Sequence, residues 1–269
     1  MNLFEKFIYL LQKEMETPKI YGCFHLLCVF ITFFFIIFLY LKKKKNYEKQ
    51  LKKVLATYGI IALLLELLKQ ISWAFNYDPI TKIITWEYEW YAAPFQLCTT
   101  PIYVSLICLF LKKGKMRTSL LSYLSFVTIL GSLATVIYPE SCFVSDILIN
   151  IHTMWLHCGS LVVSIYLITN NIVKLNKENF KNSIIVFLVF LLIAFIMNLV
   201  VYNSGILNGE TFNMFYISPY FISSLPIFNI IQENVPYILF LLIYIISISL
   251  GSFIIYIISS LIKNKKVDF

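Results

Sequence analysis

Residues 183–202 read SIIVFLVFLLIAFIMNLVVY, twenty positions without a charge. At about 1.5 Å per residue, a helix of this length is about 30 Å long, the thickness of a bilayer's hydrocarbon core. No water is available there to bond exposed N–H and C=O groups, so the run must satisfy its backbone internally as a helix. Six further apolar runs flank it, at 20–41, 54–73, 90–111, 119–138, 147–169 and 235–262. The fold class read from this pattern is all-α, a polytopic membrane protein with seven transmembrane helices. Composition agrees: 59% of the 269 residues are hydrophobic and 13% charged, where soluble chains have about 45–50% and about 25%. The runs recur from end to end, so residues 1–269 read as a single integral membrane domain without a soluble module.

The formal net charge is +8, which in a soluble chain would raise the question of nucleic acid. Here the basic residues cluster in short connectors between apolar runs, as topology requires, and a nucleic-acid partner is not expected. The first connector carries seven, the third four, the fifth three and the tail three, 17 in all, against four in the N-terminal segment and the alternate connectors. This asymmetry places the N-terminus outside and the C-terminus in the cytoplasm. All the basic residues but Arg117 are lysines, and Ile, Asn and Phe are abundant. AT-rich bacterial genomes encode such compositions, so the expected location is a bacterial plasma membrane.

Residues 1–19 mix Glu5, Lys6, Lys13 and Glu14 with Phe4, Phe7, Leu10 and Leu11. That lacks the basic-then-apolar order of a secretory signal and reads as an amphipathic interfacial segment. The connector 203–234 is long and holds Phe212, Phe215, Tyr216, Pro219, Phe221, Pro226 and Phe228. It is either a re-entrant lid over an outer cavity or a helix lying in the interface. The six cysteines lack the spacing of a zinc site or a disulfide scaffold, so no metal is expected.

Ionisable side chains inside spans are costly and mark candidate sites. His25, Glu66, Lys69, His152 and His157 qualify, accompanied by Gln70, Gln96, Cys98, Asn150, Thr153 and Asn198. With the tail inside, His25, Glu66, Cys98, His157 and Asn198 all fall within roughly 6–15 Å of the outer boundary. Five helices thus place polar chemistry in one leaflet, which suggests an outward-facing cavity. On the fifth span Asn150, Thr153, His157, Ser160 and Ser164 share one stripe, while His152 points about 140° away. Glu66, Lys69 and Gln70 stand three and four residues apart and can pair on one face, with a packing role as natural as a functional one. Pro94 and Pro101 flank Cys98 and should open the helix near its thiol.

A thiol acts as a nucleophile when deprotonated, and a nearby histidine can take its proton. Cys98 with His157, or with His152 as the alternative, would form such a pair, and Glu66 or Asn150 would orient the imidazole. The phosphate-loop, dinucleotide, HExxH and GxSxG signatures are missing from the sequence, and no cofactor is expected. His152 and His157 are five apart, off the i,i+4 spacing that would put two imidazoles on one face for a metal.

Three motifs carry a resemblance: Pro94-Phe95-Gln96-Leu97-Cys98 opening one span, Tyr138-Pro139-Glu140 closing the next, and His152 through His157 in the fifth. Through them the chain resembles the YwaF family of uncharacterised bacterial integral membrane proteins over nearly its whole length. That family is in turn distantly similar to eukaryotic multi-pass acyltransferases that move fatty acyl chains between phospholipids with a cysteine and a histidine. The resemblance implies Cys98 as the cysteine and a fifth-span histidine as its partner, with membrane lipids, a phospholipid acyl donor among them, as the partners. Three functions remain open from sequence: a lipid acyltransferase or transacylase, a small-solute binding or transport component, and a non-catalytic sensor or assembly factor.

Overall fold

The computed structural model describes residues 2–42, 47–139 and 142–263. Lys43, Lys44 and Lys45 of the first basic connector, Glu140 of the Tyr138-Pro139-Glu140 motif, and Lys265 and Lys266 of the tail lie outside the described residues.

The chain is mostly helical, and among the described residues six helical rods are long and apolar enough to cross a membrane. These are α2 (Cys23–Leu41), α3 (Tyr47–Ser72), α5 (Lys115–Phe126) continued by α6 (Thr128–Ile137), α7 (Ile147–Thr169), α8 (Lys177–Asn203) and α10 (Tyr237–Ile262). The run 183–202 lies wholly within α8, which starts where the Asn176 side chain accepts a hydrogen bond from the Asn179 N–H at 2.9 Å, an N-cap. The rod α5–α6 loosens at Val127, where Ser122, Ser125 and Thr128 donate to carbonyls four residues back at 2.8, 2.9 and 2.8 Å. Such back-bonding bends a helix without ending it.

The third apolar run, 90–111, does not form one rod. A single 3-10 turn (Trp90–Ala92) leads into irregular backbone, and helix resumes only as α4 (Thr100–Phe110). Eleven residues make about 16 Å of helix, short of a crossing. The cause is local: Pro94 holds Ala93 extended (φ −49°, ψ 141°), and Pro101 sits in the first turn of α4, where its missing N–H is harmless. The Tyr103 hydroxyl donates to the Pro94 carbonyl, satisfying one of the freed acceptors.

At the end of the bundle where α3 finishes, a two-stranded hairpin pairs β1 (Phe75–Tyr77) with β2 (Ile84–Trp86) antiparallel, Phe75 facing Trp86. Its turn is built by Asp78, whose carboxylate accepts from the Ile80 N–H at 2.8 Å and the Thr81 hydroxyl at 2.6 Å, an Asx-type turn. Nothing in the hydropathy pattern signals these three-residue strands. In the N-terminal segment only α1 (Leu3–Leu11) is helical, started by a capping box between Asn2 and Glu5. Beyond it the chain runs extended, and Glu14 pairs with Asp146 in an isolated bridge. Gln12 ties α1 down by donating to the Ser72 carbonyl at 2.9 Å and to the Phe75 carbonyl. A line of edge-on and stacked rings, Phe4–Phe75–Trp86–Tyr88–Trp90–Phe212, links α1 through the hairpin to the connector 203–234.

Helix α7 is the hub. It packs against α2, α3 and the α5–α6 rod, while α8 lies on α5. Its crossing with α3 is close because residue 159 is glycine: a Cβ there would stand 2.7 Å from the Tyr58 ring. The outer faces of α2, α8 and α10 present large apolar side chains such as Phe33, Leu192 and Ile246, which suits contact with lipid chains.

Candidate functional site

The polar centre of the bundle is a carboxylate. Glu66 on α3 is 2% exposed and accepts from three neighbours: Lys69 Nζ at 2.8 Å, Gln70 Nε2 at 2.8 Å, and His152 Nε2 of α7 at 2.8 Å. The first two bonds follow from i,i+3 and i,i+4 spacing on one helix. The third crosses from α3 to α7. Gln70 extends the chain of bonds, donating to the Ala92 carbonyl at 2.7 Å and accepting from the Tyr88 hydroxyl at 2.6 Å. Lys69 and His152 are themselves buried. Burying the carboxylate with an ammonium and two further donors offsets much of the desolvation that an isolated charge would suffer.

Cys98, a half-buried residue, lies on the irregular backbone two residues before α4. It packs against the buried apolar core of the bundle. Among the described residues, neither His152 nor His157 is hydrogen-bonded to it. The Tyr244 hydroxyl, fully buried on α10, has no hydrogen-bond partner among the described residues, which is uncommon for a buried polar atom.

The connector 203–234 folds over this segment. It contains one 3-10 turn (Met214–Tyr216), the short helix α9 (Phe228–Asn234) and otherwise irregular chain. Met214, Phe215 and Ile217 are completely buried, and the Phe215 ring stacks on Phe95 at 5.9 Å. Irregular backbone inside a membrane protein needs polar partners, and amides supply them. Gln96 donates to the Asn213 carbonyl at 2.9 Å and accepts from the Phe215 N–H at 2.8 Å. Asn198 donates to the Met214 carbonyl at 3.0 Å and accepts from the Met214 N–H at 2.7 Å. These bonds hold Phe215 and Tyr216 at φ 57° and 59°, a left-handed conformation unfavourable for bulky side chains. At the rim, Glu210 accepts from the Trp90 N–H at 3.0 Å. Nearby Glu89 has its carboxyl pushed above the usual range by partial burial and by the charges of Glu210 and Glu87.

The remaining residues singled out by sequence stand elsewhere. His25, completely buried, accepts from the Tyr21 N–H through Nδ1 at 3.0 Å, so Nε2 donates to the Val136 carbonyl at 3.0 Å; it fastens α2 to α6. Asn150 clamps the loop ahead of α7, donating to the Val144 carbonyl at 2.7 Å and accepting from its N–H at 3.1 Å. It therefore orients no imidazole. Ser160 and Ser164 zip α7 to the α5–α6 rod through Thr128 and the Leu124 carbonyl. Thr153 is partly exposed. His157 is 8% exposed and has no hydrogen bond among the described residues. Sequence reasoning brought Glu66, Lys69 and Gln70 together but missed Tyr88, Asn213 and Tyr244. The one readable signal was the density of tyrosine and amide side chains beside the proline-broken segment.

Among the described residues no group of His, Cys, Asp and Glu could hold a metal ion. No curated protein and no solved structure matches the chain. A family model does, and its description makes no mention of YwaF or of acyl transfer. It covers residues 19–256, from before α2 almost to the end of α10, and the chain therefore belongs to the TMEM164 family, a multi-pass membrane family.

Proposed function

We propose that the protein is a membrane-embedded lipid acyltransferase or transacylase in which Cys98 is the nucleophile and His152 its base, with His157 as the alternative base. The observation that carries the proposal is the buried His152–Glu66 contact at 2.8 Å. A carboxylate that fixes one imidazole nitrogen leaves the other to take a proton, the logic of a nucleophile–base–orienter set. Among the described residues His157 has no such orienting group. The chain crosses the membrane seven times, the short α4 and its irregular lead-in completing the third passage. On this reading the lysine asymmetry favours a cytoplasmic tail, the Lys-, Ile-, Asn- and Phe-rich composition favours a bacterial plasma membrane, and Cys98 faces the outer leaflet.

In the reaction, the imidazole Nδ1 takes the Cys98 proton and the thiolate adds to the ester carbonyl of a phospholipid. The ester C–O bond breaks, and the lysolipid oxygen leaves with the proton from the imidazolium. An acceptor hydroxyl then gives its proton to the imidazole and attacks the thioester, the C–S bond breaks, and the thiol is restored. Substrate binding brings imidazole and sulfur together, since catalytic contacts commonly tighten only in the complex. The connector 203–234 acts as a lid that excludes water and so favours transfer over hydrolysis.

The test is thioester trapping on purified protein with phosphatidylcholine labelled in its acyl chain. Label removable by neutral hydroxylamine is expected on the wild type and is abolished in Cys98→Ala. His152→Ala should slow its formation by about 10²–10⁴-fold, the usual worth of a general base. Undiminished label in Cys98→Ala overturns the proposal; a larger loss in His157→Ala than in His152→Ala transfers the base to His157. A solute-binding role for Glu66 and Lys69 is less well supported, because each already satisfies the other.

A further inference from the structure

A second site lies on the side of the bundle where α2, α3 and α7 meet. A groove of about 480 Å³ runs there, within the usual size range for bound small molecules. Neither Cys98, Glu66, Lys69 nor His152 lines it. Along α2 it extends from Phe24 to Lys42, about 27 Å at 1.5 Å per residue. Its walls are apolar, with Phe35 on α2 and Trp155 and Val162 on α7. One end is different: Lys42, Gln50 and Lys53 converge where α2 stops and α3 starts. Gln50 fixes that corner by donating to the Lys42 carbonyl at 3.0 Å, and the Lys42 ammonium stands 4.6 Å from the Phe38 ring centroid. Among the described residues neither Lys42 nor Lys53 meets a carboxylate. The acid in this turn, Glu48, is taken by Arg117 at 2.7 Å and Lys113 at 3.8 Å.

We infer that this groove binds one anionic phospholipid of the leaflet bordered by the lysine-rich first connector. The phosphate sits between Lys42 and Lys53, and one acyl chain lies along α2 and α7. An apolar channel as long as a bilayer leaflet or more, open at its side and ending in two ammonium groups, suits a lipid rather than a free anion. Basic pockets between spans on the cytoplasmic side are the known way to hold acidic headgroups. The inference is independent of the Cys98 chemistry.

The test uses full-length protein in nanodiscs doped with phosphatidylglycerol or phosphatidylcholine carrying the same photoactivatable acyl chain, with cross-links mapped by mass spectrometry. Phosphatidylglycerol should label the α2–α7 walls preferentially. Lys42→Glu with Lys53→Glu should reduce that labelling by about twenty-fivefold or more, roughly fivefold for each lysine. Lys42→Arg with Lys53→Arg should retain it. Val162→Trp, which fills the groove with both lysines intact, should also abolish it, and Cys98→Ala should leave it unchanged. Equal labelling by the two lipids, labels spread evenly over α8 and α10, or labelling indifferent to the charge reversal overturns the site.

Discussion

Replacing Glu66 by alanine tests the energetic centre of the bundle. The carboxylate is 2% and its partner Lys69 7% exposed, with 2.8 Å between them. Removing it strands an ammonium in the interior and takes an acceptor from both His152 and Gln70. Breaking a buried pair by deleting one partner costs about 3–5 kcal/mol. For a chain of this size that corresponds to a fall in melting temperature of about 6–20 °C. The stranded charge makes most of this loss, so removing it as well should recover stability. Glu66→Leu combined with Lys69→Met is expected to return to within about 2 kcal/mol of the wild type, because apolar replacement of a buried ion pair is often near neutral. The assay is thermal unfolding, in one detergent and followed by tryptophan fluorescence, of Glu66→Ala and of the cycle formed by the wild type, Glu66→Leu, Lys69→Met and their double variant. A Glu66→Ala protein within about 1 kcal/mol of wild type, or single effects that simply add in the double variant, would refute the reasoning.

Gln96→Ala and Asn198→Ala each orphan a buried N–H and C=O of the connector 203–234, at about 1–3 kcal/mol per group. Limited proteolysis should then cut within that connector many times faster while the helices stay resistant; unchanged cleavage would show that the amides do not hold it. Tyr244→Phe removes a buried hydroxyl that has no partner among the described residues, so melting should be unchanged or slightly higher, while thioester formation falls if that hydroxyl serves the substrate. A drop in melting temperature would reveal a structural role instead. Glu89 binds its proton more tightly in the folded state, through burial and the charges of Glu210 and Glu87, so its contribution to stability is lost as pH rises above the ordinary glutamate range. Glu89→Gln should therefore raise the melting temperature at pH 7 and leave it unchanged near pH 4; a variant curve parallel to the wild type would contradict this.

Hydropathy made the long rods legible because lipid imposes one strong condition, an unbroken apolar length with internal backbone bonds. The prolines flanking Cys98 signalled an opening there, but the same condition hid how far the helix is interrupted, over Ala93–Thr99. That segment is as apolar as a span, and prolines in membrane helices more often kink than unwind them. The prolines open the segment locally, and the connector beyond it holds the opened backbone, since Gln96 finds backbone partners at Asn213 and Phe215, 117 and 119 residues away. The hairpin at Phe75–Trp86 was illegible for another reason. Its strands are three residues long and draw their stability from rings on α1 and the connector, not from their own pattern.

The two histidines of α7 show where helical-wheel reasoning fails. Placing His157 on the polar stripe with Asn150, Ser160 and Ser164 assumes that polarity marks a single inward face. For a peripheral helix such as α2, whose buried side chains are few, the assumption holds. Helix α7 is instead wrapped by α2, α3 and the α5–α6 rod, so it has more than one interior face and an off-stripe histidine is as buried as an on-stripe one. The stripe turned out to be a seam: Ser160 and Ser164 bond to the α5–α6 rod, and Asn150 bonds to backbone. His152, assigned by the wheel to the other side, meets the one carboxylate that α3 carries into the bundle. In a hub helix, then, the informative feature is the side chain whose charge needs a partner on a neighbouring helix. Glu66 has one cation on its own helix and still lies against His152, and that pairing locates the candidate site.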